Sequence, residues 1–301
     1  MTRLLFAILF LPLISTGQNN PPGYQWAIGA GSSEDDQAVD ILADNHGNLY
    51  TTGRFESFFR IEDSIWIAAS PQRDHTDAFV MKQNRTGEVI WVKAFGGPGV
   101  DEGVSLAFDR DSSLIIGGSF SGSVQFGQFT LNDQGEPLDT ERPNEMFLLR
   151  IDPKDGDVKN AISFGGDRLD QLLDMAVDQN GNLTFLSVCS SEMVKIGDLF
   201  SGYNVSQKPS YLLGQLDNAF DLEWSKWFFP PERTLSVVPT SAEIITQGQD
   251  LYMAAFIADS IISEDTAFYV GERAYSMLKL DESGRIIGHQ AFTGGFNMSF
   301  R

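Results

Sequence analysis

The sequence predicts an all-β fold: a β-propeller with four full four-stranded blades, partial blade strands at both ends, and an incomplete ring. Three observations carry this. A hairpin motif is written three times, as "DNHGNLYTTGRF" (Asp44 to Phe55), "DRDSSLIIGGSF" (Asp109 to Phe120) and "DQNGNLTFLSV" (Asp178 to Val188). Four apolar strands end in Asn or Asp: "AFVMKQN", "MFLLRID", "YLLGQLD" and "YSMLKLD". Their last residues, Asn84, Asp152, Asp217 and Asp281, lie 68, 65 and 64 positions apart. No segment sustains a helical period, whereas alternation of two recurs throughout. A fixed period of about 65 residues is the mark of a repeat architecture.

Each unit can be written out in order. An acidic residue follows the Gly-rich start: Asp36, Asp101 and Asp170. Strand a alternates, as Val39/Ile41/Ala43, Val104/Leu106/Phe108 and Leu173/Met175/Val177. The repeated turn then leads into strand b; Gly supplies positive φ while Asp and Asn bond back to the local backbone. The b–c segment varies and usually holds a small apolar hairpin, such as "VQFGQFTL" or "MVKIGDLF". Strand c ends in a turn ("RTGE", "PKDGD", "NAFD", "ESGR"), and strand d carries Phe95, Phe164, Phe228 and Phe292, spaced by 69, 64 and 64. The units run 32–97, 98–166, 167–230 and 231–295. One such sheet has two apolar faces that it cannot bury alone, so copies must stack. A β-sandwich would not need equal spacing, and an outer-membrane barrel would repeat at about ten residues.

Residues 1–17, "MTRLLFAILFLPLISTG", have a basic residue, a short apolar run and small residues at the end, the layout of a secretory signal peptide. The run from Leu4 to Ile14 is too short for a comfortable transmembrane anchor, and no Cys lies nearby for lipidation. The expectation is a secreted chain with no membrane insertion after signal cleavage. The formal net charge is −20, and becomes −21 without Arg3, which argues against a nucleic-acid partner or an anionic lipid surface. Cys189 is the single cysteine, so no intrachain disulfide can form. At 42% hydrophobic residues the chain can build a packed core. The ends suggest truncation at the C-terminus: "YQWAIGAG" matches a lone strand d, its a, b and c partners are missing, and only "FNMSFR" follows Gly295.

The stretch "AFGGPGVDEGVSLAFDRDSSLIIGGSFSGSVQFG" followed by "MFLLRIDPKDGDV" resembles the secreted bacterial β-propeller repeats called SBBP repeats. The resemblance is clearest from Ile28 to Gly166 and faint in the fourth unit, where "TQGQDLY" replaces the Asp-x-x-Gly-Asn turn. It implies extracellular or cell-surface placement in bacteria that use type IX secretion, and a role in binding or display. It points to no single ligand or reaction.

The candidate sites are few. Asp36, Asp101 and Asp170 would ring one mouth of a central channel. Carboxylates there suit calcium, or each fixes its own loop by accepting backbone N–H bonds; Val238 near the fourth position breaks the ring, and the loop-fixing reading is preferred. "DPKDGD" (Asp152 to Asp157) lacks the full ligand spacing of a calcium loop and reads as turn chemistry. "DSI" at Asp63 and Asp259, with "DTA" at Asp265, resembles the O-glycan acceptor pattern of bacteria with this secretion route, which would modify Ser64, Ser260 and Thr266. No catalytic or metal-ligating residue is assigned: His46, His75 and His289 lack partners at ligand spacing, and no serine sits in a nucleophile elbow. Cys189 reads as a small buried apolar residue, and Trp91 and Trp224 share a packing position. The leading function is therefore a secreted non-catalytic scaffold binding an extracellular protein or glycan. The alternatives are an extracellular hydrolase with its site at the channel mouth, or a spacer for a missing catalytic domain.

Overall fold

The computed structural model describes residues 26–61, 64–68, 75–133, 145–197, 199–206, 208–230, 242–263 and 266–292. The signal segment, Asp63, Val238, Asp265 and the stretch after Gly295 lie outside these, as does the side chain of Thr266. Among the described residues every regular element is a strand, and no helix is long and apolar enough to cross a membrane.

A two-residue strand, β1 (Ala30–Gly31), precedes the first unit, which holds β2 (Gln37–Ala43), β3 (Leu49–Glu56), β4 (Phe58–Ile61), β5 (Ser64–Ala68), β6 (Thr76–Gln83) and β7 (Val89–Phe95). The second has β8 (Glu102–Phe108), β9 (Leu114–Phe120), β10 (Ser123–Phe126), β11 (Phe129–Asn132), β12 (Glu145–Ile151) and β13 (Val158–Gly165). The third has β14 (Asp170–Val177), β15 (Leu183–Cys189), β16 (Met193–Ile196), β17 (Leu199–Tyr203), β18 (Ser210–Leu216) and β19 (Leu222–Phe229). The fourth has β20 (Ala242–Gln247), β21 (Asp250–Ser263), β22 (Thr266–Leu280) and β23 (Ile286–Phe292). The antiparallel orders β2-β3-β6-β7, β8-β9-β12-β13, β14-β15-β18-β19 and β20-β21-β22-β23 repeat the predicted a-b-c-d order four times.

The turns follow from local chemistry. In the a–b turns the Oδ1 atoms of Asp44, Asp109 and Asp178 each accept two backbone N–H bonds, from residues two and four further on, at 2.8–2.9 Å. Asn84, Asp217 and Asp281 do the same in the c–d turns. Gly47 and Gly181 supply positive φ at one a–b position, where the second unit places Ser112 at φ 63°. In the third c–d turn, "NAFD", Phe220 takes the left-handed conformation at φ 71°. Its ring is buried in the core and lies beneath the Arg150 guanidinium, 4.4 Å from the ring centroid, which offsets the backbone strain.

Among the described residues, three of the four core clusters lie between consecutive units, and the fourth gathers Phe55, Phe59, Ile61, Phe79 and Met81 of the first unit under its own hairpin. Val80 and Phe95 of the first pack with Leu106, Ile116 and Leu149 of the second. Leu148 and Phe164 of the second pack with Met175, Phe185 and Trp227 of the third, and Leu213 and Phe228 of the third with Ile244, Met253 and Leu278 of the fourth. Glycines let the rings close in: a Cβ on Gly118 would stand 2.4 Å from the Phe147 ring, and one on Gly214 equally near Phe185. Cys189 ends β15 fully buried, with Ser187 Oγ 3.4 Å from its sulfur.

The sequence pattern does not foretell where the b–c hairpins go. Each laps onto the outer strand of the preceding element: β4 pairs with β1, β16 with β13, the distal part of β21 with β19, and Gln125 of β10 bridges to Gly96.

Candidate functional site

Asp36, Asp101 and Asp170 stand at matching places where an outer strand leads to the next inner strand, Asp36 and Asp101 just before β2 and β8 and Asp170 as the first residue of β14. Asp36 accepts the backbone N–H groups of Ser32 and Glu56. Asp101 is fully buried and accepts the Gly97 N–H at 2.7 Å. Burial pushes its carboxyl well above the usual range and the neighbouring Asp77 adds to this, against the Gly97 N–H. Asp170, also fully buried, accepts the N–H groups of Ser190 and Ser191 at 3.0 and 3.2 Å and the Ser191 hydroxyl at 2.7 Å. Burial raises it to about 6 against the pull of those donors. Asp36 and Asp170 thus accept from residues at the end of strand b, whereas Asp101 accepts the Gly97 N–H of its own loop and its Oδ1 is buried with no hydrogen-bond partner among the described residues. Among the described residues no group of three or more His, Cys, Asp or Glu is placed to hold a metal ion. In the "DPKDGD" turn, Asp152 accepts the Lys154 N–H and Asp155 the Asp157 N–H.

A second acidic column escapes the period-two reading of strand a. The inner strands β2, β8 and β14 each shift register around Val39, Val104 and Leu173. A bulge of this kind re-aims the side chain beside it, here Asp40, Ser105 and Asp174. Strand pairing places Glu243 at the same position of β20, so the four lie 65, 69 and 69 residues apart. Asp40 accepts its neighbour Ile41 N–H and, across the unit boundary, the Leu106 N–H, both at 2.7 Å. Asp174 accepts the Ser105 hydroxyl at 2.9 Å, the Met175 N–H at 2.8 Å and, across the next boundary, the Ile244 N–H at 2.8 Å. Burial raises Asp174 to about 6, opposed by the Ile244 and Ser105 donors, with Asp40 raising it further. One carboxylate therefore ties the second, third and fourth units together.

The hairpins offer the accessible surface. On β16–β17 and the turn after it, Leu199, Tyr203 and Val205 are 53%, 68% and 75% exposed. Beside them lies a depression of about 410 Å³ whose lining includes Gly166, Asp167, Glu192, Lys195 and Tyr203. An exposed aromatic ring ringed by carboxylates and an ammonium can stack on and hydrogen-bond a polar ligand. Ser64 opens β5 and is exposed, Ser260 lies half-buried within β21, and Thr266 opens β22. Trp91 and Trp224 pack between units, their indole N–H groups donating to Pro153 O and Gln215 Oε1.

No family model and no curated protein matches this chain. Solved structures of similar shape do. A protein of unknown function from Bacteroides caccae is 10% identical with a TM-score of 0.36, over 85% of this chain and 82% of that one. Virginiamycin B lyase from Staphylococcus aureus is 9% identical with a TM-score of 0.27, over 86% and 97% of the two chains. A catalytically inactive form of that lyase with quinupristin is 10% identical with a TM-score of 0.30, over 86% and 98%. Likeness at this level assigns no activity to this chain.

Proposed function

We propose that the chain is a secreted, non-catalytic β-propeller scaffold whose b–c hairpins bind an extracellular protein or glycan at the cell surface. The observation that carries this reading is the occupancy of the acids. The oxygens of Asp40 and Asp174, the two carboxylates that converge on the inner column, are taken up by backbone N–H groups and the Ser105 hydroxyl. Asp101 and Asp170 are fully buried, Asp170 accepting from Ser190 and Ser191 and Asp101 from Gly97. Groups spent in this way on joining units are poorly placed to move a substrate's proton. The third unit's hairpin instead exposes Tyr203 beside Asp167, Glu192 and Lys195. Four consecutive units with the same antiparallel a-b-c-d strand order, each packed on the next, support the propeller reading.

One observation favours a hydrolase as the second reading: Asp174, raised to about 6, senses the charge of Asp40, a pairing that general acid–base chemistry uses. A glycan array probed with purified protein separates the two. The scaffold reading expects retention of an unmodified glycan, weakened at least tenfold by Tyr203→Ala and kept by Asp174→Asn under conditions where circular dichroism shows that this variant, which loses an acceptor at the joint between units, is folded. Cleavage of an arrayed glycan that Asp174→Asn abolishes would overturn it in favour of the hydrolase.

A further inference from the structure

The repeat makes the same contact three times, and part of each half of it is exposed at opposite ends of the stack, although Phe55, Phe79 and Met81 on the back of the first unit are buried with Phe59 and Ile61 of that unit's own hairpin. On the back of each unit, strand a presents one large apolar residue to the unit before it. Leu106, Met175 and Ile244 hold this position and are 5%, 4% and 7% exposed, whereas Ile41 of the first unit is 61% exposed. On the front, strand c presents an apolar residue to the unit after it. Val80, Leu148 and Leu213 are fully buried, whereas Met277 of the fourth unit, at the same register, is 42% exposed. Ile245 is 64% exposed where Ala107 of the second unit is 8%. These front residues line a depression of about 340 Å³ together with Tyr252, Tyr275 and Phe292.

We propose that the front of the fourth unit receives the back of the first unit of a second copy of this chain, in a head-to-tail contact that reproduces the internal one. Such a contact continues the interfaces already built between units. Each pair that meets inside the molecule, Val80 with Leu106, Leu148 with Met175 and Leu213 with Ile244, shares one core cluster. Met277 and Ile41 are the unmatched members of the same series. The hairpin rule extends to the contact as well: β16 pairs with β13 and β21 with β19, so β4 takes the partner's β23 in place of the two-residue β1. Because different surfaces meet, the association is heterologous and builds rings or open chains rather than symmetric pairs. The net charge of −20 and the approach of Glu243 to Asp40 oppose it, so it is best measured with those charges screened, at about 0.3 M salt.

The test is light scattering on the size-excluded full chain over a range of concentrations. Wild type is expected to form species above monomer mass. Ile41→Asp and Met277→Asp, both at exposed positions, should each be monomeric; Ile245→Asp serves as a second front-face variant, with circular dichroism confirming that each folds. Ile41→Asp keeps an intact front and Met277→Asp an intact back, so mixing the two should restore a species of twice the monomer mass and no larger. Ile41→Cys mixed with Met277→Cys should form a disulfide between copies, the native Cys189 being buried. Wild type that stays monomeric up to about 200 µM, or a mixture that restores nothing, overturns the proposal and leaves these faces to another occupant, such as a further unit of a longer polypeptide.

Discussion

Asp170 makes an unusual demand on the stability of this acidic protein. Its carboxyl is fully buried and held at about 6, against an ordinary 3.8. The folded state therefore keeps this proton to higher pH than the unfolded chain does. That contribution is complete below about pH 3.8 and is lost as pH rises through about 6. The full interval corresponds to about 3 kcal/mol. Lowering the pH from about 7.5 to about 5 recovers about 1 kcal/mol, and reaching about pH 4 recovers about 2 kcal/mol. Asp170→Asn removes the titration while keeping the shape. Urea unfolding of both proteins across this range gives the result as a difference, which cancels every other titrating group. Wild type should gain on the variant by these amounts as the pH falls. A difference that stays flat, or that favours the variant more at low pH, would refute the reasoning, because the loop donors would then hold Asp170 ionised at no cost.

Other expectations follow from single positions. Leu148→Ala empties a fully buried site between units and should cost about 3 kcal/mol, while Met277→Ala at the same register, 42% exposed, should cost under about 1 kcal/mol at monomer concentrations; urea midpoints measure both. Ser112→Gly relieves a left-handed serine at φ 63° and should stabilise the fold by about 0.5–1 kcal/mol in the same assay. Arg150 donates to Asp109 at 2.9 Å and to Asn218 O at 2.7 Å, and the Asp109 side chain is 1% exposed. Arg150→Ala leaves the buried Asp109 Oδ2 without its ionic partner, while Oδ1 keeps the Asp111 and Ser113 N–H bonds, and should cost about 2 kcal/mol, seen as a lower thermal midpoint at neutral pH.

What could be read in advance divides by range. The turns at Asp44, Asp109 and Asp178 were legible because an aspartate that bonds the N–H groups two and four residues on needs nothing from the rest of the fold. The period was legible because stacked copies impose it. The inner column was not. Alternation of two puts Val39 and Ile41 on one face, but the bulge between them re-aims everything that follows, and a bulge is set by the partner strand rather than by local composition. Ser105, between Asp40 and Asp174, also interrupts the residue type, so the 65 and 69 spacings passed unnoticed. Phe220 at φ 71° likewise shows tertiary packing overriding turn preference. The crossing of each hairpin onto its predecessor joins strands some thirty residues apart in sequence, such as β13 and β16, and such pairing has no local signature.

That overlap has a consequence for how the chain can be cut. From the second unit to the fourth, adjoining modules share a sheet like roof shingles, so the seam in the sequence is not the seam in space. A break at 166/167 would strip β16 from β13 and leave an outer strand with bare amides, an invitation to stray pairing. Any excised or transplanted module must therefore take its follower's hairpin along, and melting should spread from one shingle to its neighbour rather than stop at a repeat boundary.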